Sequence, residues 1–94
     1  MNRQEAERIA NEVASRYRAR PREELLRYID DQDDFEVVAP SGNRYQIEVS
    51  AVWDDRKGND LRVFISVDDS TFWAAVTPLT VDFVMAPDGR FIGE

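Results

Sequence analysis

Residues Tyr45–Trp53 read YQIEVSAVW and residues Leu61–Val67 read LRVFISV. Apolar residues recur at every second position in both, the period of a strand with one face buried. Tyr45, Ile47, Val49, Ala51 and Trp53 fall on one side of the first run, against Gln46, Glu48 and Ser50. Leu61, Val63, Ile65 and Val67 do the same in the second. The charged stretch between them, Asp54–Asp60, holds Gly58 and Asn59 and reads as a hairpin loop. Pairing Trp53 with Leu61 sets Ala51 opposite Val63 and Val49 opposite Ile65. One face is then uniformly apolar, and a slip of one residue would turn every apolar side chain over.

The pattern extends in both directions. Before this hairpin, Phe35, Val37 and Ala39 alternate with Glu36 and Val38, and Pro40, Ser41, Gly42 and Asn43 make a turn. After it, Asp68–Thr71 reads as a turn into a fourth strand with Phe72, Ala74 and Val76 on the core face, opposite Val67, Ile65 and Val63. Pro78 interrupts, Val81, Phe83 and Met85 suggest a fifth strand, and Pro87-Asp88-Gly89 turns the chain into a short final strand or tail at Phe91 and Ile92.

The first 31 residues change period. Ala6, Ile9, Ala10, Val13 and Tyr17 recur at three- and four-residue steps on one helical face. Asn2 suits the N-cap, with Glu5 at capping-box spacing. Arg16, Arg18 and Arg20 crowd the last turn, where positive charge suits the helix dipole. Pro21 stops this helix and opens a second, with Glu23 and Glu24 in its first turn, an apolar stripe of Leu25, Leu26 and Ile29, and an end near Asp31. The expectation is a single α+β domain over residues 1–94. Two N-terminal helices (1–31) pack on one face of a four- to five-stranded antiparallel meander sheet (35–94). Ile9, Val13, Leu25, Leu26, Ile47, Val49, Ile65 and Val67 should be buried.

Composition excludes more than it identifies. The 94 residues contain no cysteine and no histidine. That removes disulfides, thiolate metal sites, cysteine nucleophiles and the common neutral-pH general base. The net charge is −7, which repels phosphate, so neither nucleic acid nor an anionic membrane is expected as a partner. Residues 1–28 hold seven arginines against five glutamates, whereas residues 29–94 hold five bases against fourteen acids. A mildly basic helical layer thus lies beside a strongly acidic sheet. Eleven of the twelve bases are arginine, a chain-wide bias that fits a high-GC or salt-adapted composition better than any one site. No signal peptide or membrane span is visible, and a cytoplasmic location is the expectation.

No cofactor or metal is expected. Twelve-residue calcium loops counted from Asp30 or Asp31 lack the glycine at position six and the glutamate at position twelve. Asp30, Asp31, Asp33 and Asp34 read as a solvated link, and Asp68 and Asp69 as turn chemistry. An enzyme would have to work through carboxylates, arginine or tyrosine alone, and none is expected. The one anomaly lies on the nominal solvent face of the sheet, where Val52, Phe64, Trp73 and Ala75 form an apolar group rimmed by Glu48, Arg62 and Thr77. It is read as a partner-binding or self-association surface, unless the Phe91–Ile92 tail folds over it. The expected function is a small acidic, non-enzymatic protein-interaction module that can self-associate. The alternative is an acidic inhibitor, antitoxin or immunity-type protein that binds a basic partner.

Overall fold

Helix α1 (Arg3–Arg18) forms where the three- and four-residue period places Ala6, Ile9, Ala10, Val13, Ala14 and Tyr17 in one buried stripe. Its first turn is capped by Asn2, whose side chain accepts the Glu5 N–H at 3.1 Å. The structure, a computed structural model, describes residues 2–55, 59–69 and 78–93. Pro21 is the N-cap of α2 (Arg22–Leu25), in extended conformation, and not a residue inside its first turn. The second helix is also shorter than its apolar stripe suggests. After one α turn it tightens into a 3-10 turn (Leu26–Ile29), which buries Leu25 and Tyr28 and leaves Leu26 and Ile29 partly buried.

Five strands follow: β1 (Asp33–Val38), β2 (Arg44–Trp53), β3 (Leu61–Asp69), β4 (Leu79–Met85) and β5 (Phe91–Ile92). They form one sheet in the order β1-β2-β3-β4-β5, with every neighbouring pair antiparallel. The architecture is the expected α+β meander. Two of its turns share one chemistry, Ala39-Pro-Ser-Gly-Asn43 and Ala86-Pro-Asp-Gly-Arg90. In each, the glycine N–H donates back to the alanine carbonyl, at 2.8 Å from Gly42 and 2.9 Å from Gly89. Gly42 and Gly89 sit at φ +90° and +87°, a region that costs glycine nothing. This is a type I turn closed by a left-handed residue, the usual three-residue hairpin.

The inner face meets the helices. Helix α1 lies against β3 and β4, and the 3-10 turn lies against β2. Val49, Val63, Ile65 and Val67 are fully buried between these layers. Each such side chain contributes roughly 1.5–3 kcal/mol. The β2–β3 register is the expected one, with Trp53 opposite Leu61, Ala51 opposite Val63 and Val49 opposite Ile65.

Two expectations change, and the alternative of a covering tail falls. The strand beside β3 is Leu79–Met85, with Leu79 opposite Val67, Val81 opposite Ile65 and Phe83 opposite Val63. The proposed Phe72, Ala74 and Val76 strand lies outside the described residues, and its places beside β3 are taken. The C-terminal tail does not fold over the outer face. As β5 it extends the sheet beside β4, with Phe91 turned inward to meet the Phe83 ring edge-on at 5.7 Å. Trp53, at the last position of the core stripe, is 44% exposed. There the helical layer offers the Arg22 guanidinium, 5.8 Å from the indole.

Two polar clusters tie the layers together. Glu5, buried on α1, accepts from Tyr45 Oη at 2.7 Å and from Ser41 Oγ and Asn43 Nδ2 at 3.0 Å each. These bonds, led by that from Tyr45, hold its carboxyl below the usual range. Burial and the same carboxylate push the Tyr45 phenol up to about 12. In the second cluster, Tyr17 donates to Asp33 at 2.7 Å, Arg20 stacks 4.1 Å from the Tyr17 ring, and Arg20 donates to the Tyr28 hydroxyl.

Candidate binding face

With the helices on one side, no described helix covers the other face of the sheet. Its side chains come from the alternate residues of each strand and form rows across the sheet. One row is Val52, Arg62, Val84 and Ile92; the next is Ser50, Phe64 and Asp82; the next is Asp34, Glu48, Ser66 and Thr80.

The row through Arg62 holds a cation shared by two carboxylates. The guanidinium donates from Nε to Asp54 Oδ1 at 2.6 Å and from Nη1 to Asp82 Oδ2 at 2.5 Å. Both carboxylates raise the affinity of Arg62 for its proton. Val52 and Ile92, 45% and 41% exposed, flank this ion triplet, and Phe64 beside it is half-buried. Val52 and Phe64 therefore share the outer face as expected. Trp73 and Ala75, the other two residues of the expected patch, lie outside the described residues. The register that set Trp73 opposite Ser66 does not hold, because Ser66 lies between Glu48 and Thr80.

The row through Glu48 is electrically open. Asp34 and Glu48 are direct cross-strand partners. The hydrogen-bond pattern fixes which kind of pair they form. Ala39 donates its N–H to the Asn43 carbonyl at 2.9 Å, so this is a hydrogen-bonded pair. Such pairs alternate along an antiparallel ladder. Val37–Tyr45, Phe35–Ile47 and Asp33–Val49 are then hydrogen-bonded, and Asp34–Glu48 is a non-hydrogen-bonded pair, the kind with the closer side chains. Cβ atoms in opposed pairs lie about 4.5–5.5 Å apart, and like charges there are destabilising. Asp68, opposite Gln46, stands diagonal to Glu48 and adds a third carboxylate.

Among the described residues, no arginine or lysine forms an ion pair with Asp34, Glu48 or Asp68. Glu36, by contrast, is paired with Arg44 at 3.5 Å and accepts from Gln46 at 3.0 Å. The Asp68 Oδ1 atom is buried without a hydrogen-bond partner among the described residues. Burial first, and the neighbouring Asp69 charge second, push the Asp68 carboxyl above its ordinary value. The three acids line a cavity of about 370 Å³ with Gln46, Ser66 and Pro78. Among the described residues, no group of three carboxylates is arranged to hold a metal ion.

Sequence reasoning placed Glu48 on the outer face but read Asp34 and Asp68 as linker and turn residues. The signal that joins Asp34 to Glu48 was available in the Ala39–Asn43 turn, which sets the β1–β2 register. Comparison with protein-family models, curated proteins and solved structures gives no match. No helix among the described residues is long and apolar enough to cross a membrane.

Proposed function

We propose that this chain is a non-enzymatic protein-interaction module that docks a basic partner on the outer face of its sheet. The observation that carries the reading is the opposed Asp34–Glu48 pair, joined by Asp68 and with no cation among the described residues, beside a cavity. A lysine or arginine from a partner would relieve a like-charge opposition that no described cation offsets. A guanidinium suits the site, because its planar donors match carboxylates in pairs. The surrounding net charge of −7 would steer such a partner inward. This favours an inhibitor, antitoxin or immunity-type role against a basic target. Self-association through this face is disfavoured, because it would bring like charges together. Val52, Phe64 and Ile92 give the same face an apolar end that a bound partner could cover.

The test is chemical-shift mapping of the full chain titrated with an oligoarginine peptide. Amide shifts should concentrate at Asp34, Gln46–Glu48 and Ser66–Asp68 and should weaken with salt, since the Debye length is about 8 Å at physiological ionic strength. Shifts spread evenly over all acidic residues, or centred on Asp54 and Asp82, would overturn the reading.

A further inference from the structure

We infer that the basic partner binds as an added antiparallel β-strand along the free edge of β1, with basic residues alternating with apolar ones. This rests on the basic-partner reading and specifies how that partner is held. Strand β1 is the first in the sheet order, and β2 is its only neighbour among the described residues. The ladder alternation derived above points the N–H and C=O groups of Asp33, Phe35 and Val37 at β2. Those of Asp34, Glu36 and Val38 therefore point outward, unpaired by any described strand, a template of the kind that extended peptides complete. Nothing within β1 blocks it: the six residues DDFEVV contain no proline, and their register against β2 is unbroken.

The side chains specify what would pair there. On the outer face, the position opposite Asp34 would continue the row that runs through Glu48 and calls for arginine or lysine. The position opposite Glu36 would lie beside a carboxylate that Arg44 already pairs, where a cation is accepted but not required. On the inner face, Phe35 and Val37 are only partly buried at the rim of the core, and apolar residues would cover them. Val38, 56% exposed, ends the strand. A second copy of β1 fits poorly. With Phe35 on the two-fold axis, Asp34 faces Glu36. With Glu36 on the axis, it faces itself. With Val37 on the axis, Asp34 falls opposite Pro40, which has no N–H to pair. Like charges in opposed pairs are unfavourable, so the edge rejects itself and accepts a cationic strand.

The parity of the ladder gives a specific test. A residue opposite Asp34 shares its face and forms a hydrogen-bonded pair with it, so the basic residues of the added strand turn their own N–H groups toward β1. The probe is the hexapeptide acetyl-Arg-Val-Arg-Val-Arg-Val-amide, compared by calorimetry with two versions of equal charge, one N-methylated at its arginines and one at its valines. The arginine-methylated peptide should bind at least about tenfold more weakly, since it cannot make the three inter-strand hydrogen bonds. The valine-methylated peptide should bind within about twofold of the parent, because its lost donors face away from the ladder. Amide exchange at Glu36 and Val38 should slow on binding the parent. Equal binding of all three peptides would overturn strand addition and leave the basic-partner reading standing. Equal loss from both methylations, or loss from the valine version alone, would also overturn strand addition. No binding by any of them would overturn both.

Discussion

The two ends of the outer sheet face are built from similar residues and treat charge in opposite ways. Around Arg62, two aspartates from separate segments converge on one guanidinium, and the cluster is complete within the chain. Around Glu48, an aspartate on each side adds charge of the same sign, and no described cation answers it. The first end is an internal clasp that links the start of the β2–β3 loop to β4. The second sets two carboxylates opposite one another, with no described cation between them. Surface acidity of itself says little about function, but acidity paired with Arg62 at one end and with no described cation at the other distinguishes the two.

The largest effect should come from the layer beneath both ends. Ile65 is fully buried, and Ile65→Ala should cost about 2–5 kcal/mol in chemical denaturation. It sits below Phe64 and Ser66, between the two ends, so both should weaken together. Next is Tyr45→Phe, which takes the strongest donor from Glu5 and should lower the melting temperature by several degrees at neutral pH. The pH dependence has a definite sign. The Glu5 carboxyl is depressed in the fold, so its contribution is complete above its unfolded value and is lost as pH falls through the folded one. The Tyr45→Phe deficit should therefore shrink in acid. Asp68 has the opposite sign. Its raised value makes the ionised carboxylate a burden at neutral pH, and that burden disappears on acidification. Asp68→Asn should then be neutral or stabilising at pH 7, with any gain fading in acid.

The inner face was legible from sequence because two independent alternations had to agree across one loop, and only one register between β2 and β3 let them. The next pairing was not legible for the same reason. Phe72, Ala74 and Val76 share the period of Leu79, Val81 and Phe83, and either set gives β3 an apolar partner face. Alternation fixes which side a residue faces but not which of two matching segments arrives. Asp68 and Asp69 also look like turn residues, although β3 runs through both. Glu5 was legible as a cap but not as the acceptor of three side chains from the 41–45 turn, because that contact depends on where the helix lies over the sheet. The acidic end was missed for a related reason. Asp34 and Glu48 are far apart in sequence and meet only through the β1–β2 register.

Two smaller changes act on the ends themselves. Arg62→Met strips the compensated end of its cation and makes it resemble the open one. The melting temperature should fall by a few degrees, with the loss reduced in high salt, because the remaining Asp54 and Asp82 charges are screened. Glu48→Lys does the reverse at the open end by turning a like-charge pair into an opposite one. It should raise stability by about 0.2–1 kcal/mol. A loss of stability from Glu48→Lys would mean that Asp34 and Glu48 do not repel and that the contrast between the ends is absent.

The most direct measurement compares how well acetyl-Arg-Val-Arg-Val-Arg-Val-amide binds to two double variants, each lowering the negative charge by the same amount. One is Glu48→Gln with Asp68→Asn, at the open end. The other is Asp54→Asn with Asp82→Asn, at the compensated end. At physiological ionic strength, screening over about 8 Å separates the two sites. The first variant should lose most of the binding, and the second should keep it within about twofold, since charged hydrogen bonds worth about 1.5–3 kcal/mol each are removed only in the first. Equal weakening in both would show that the peptide responds to net charge alone and would contradict a docking site at Asp34, Glu48 and Asp68.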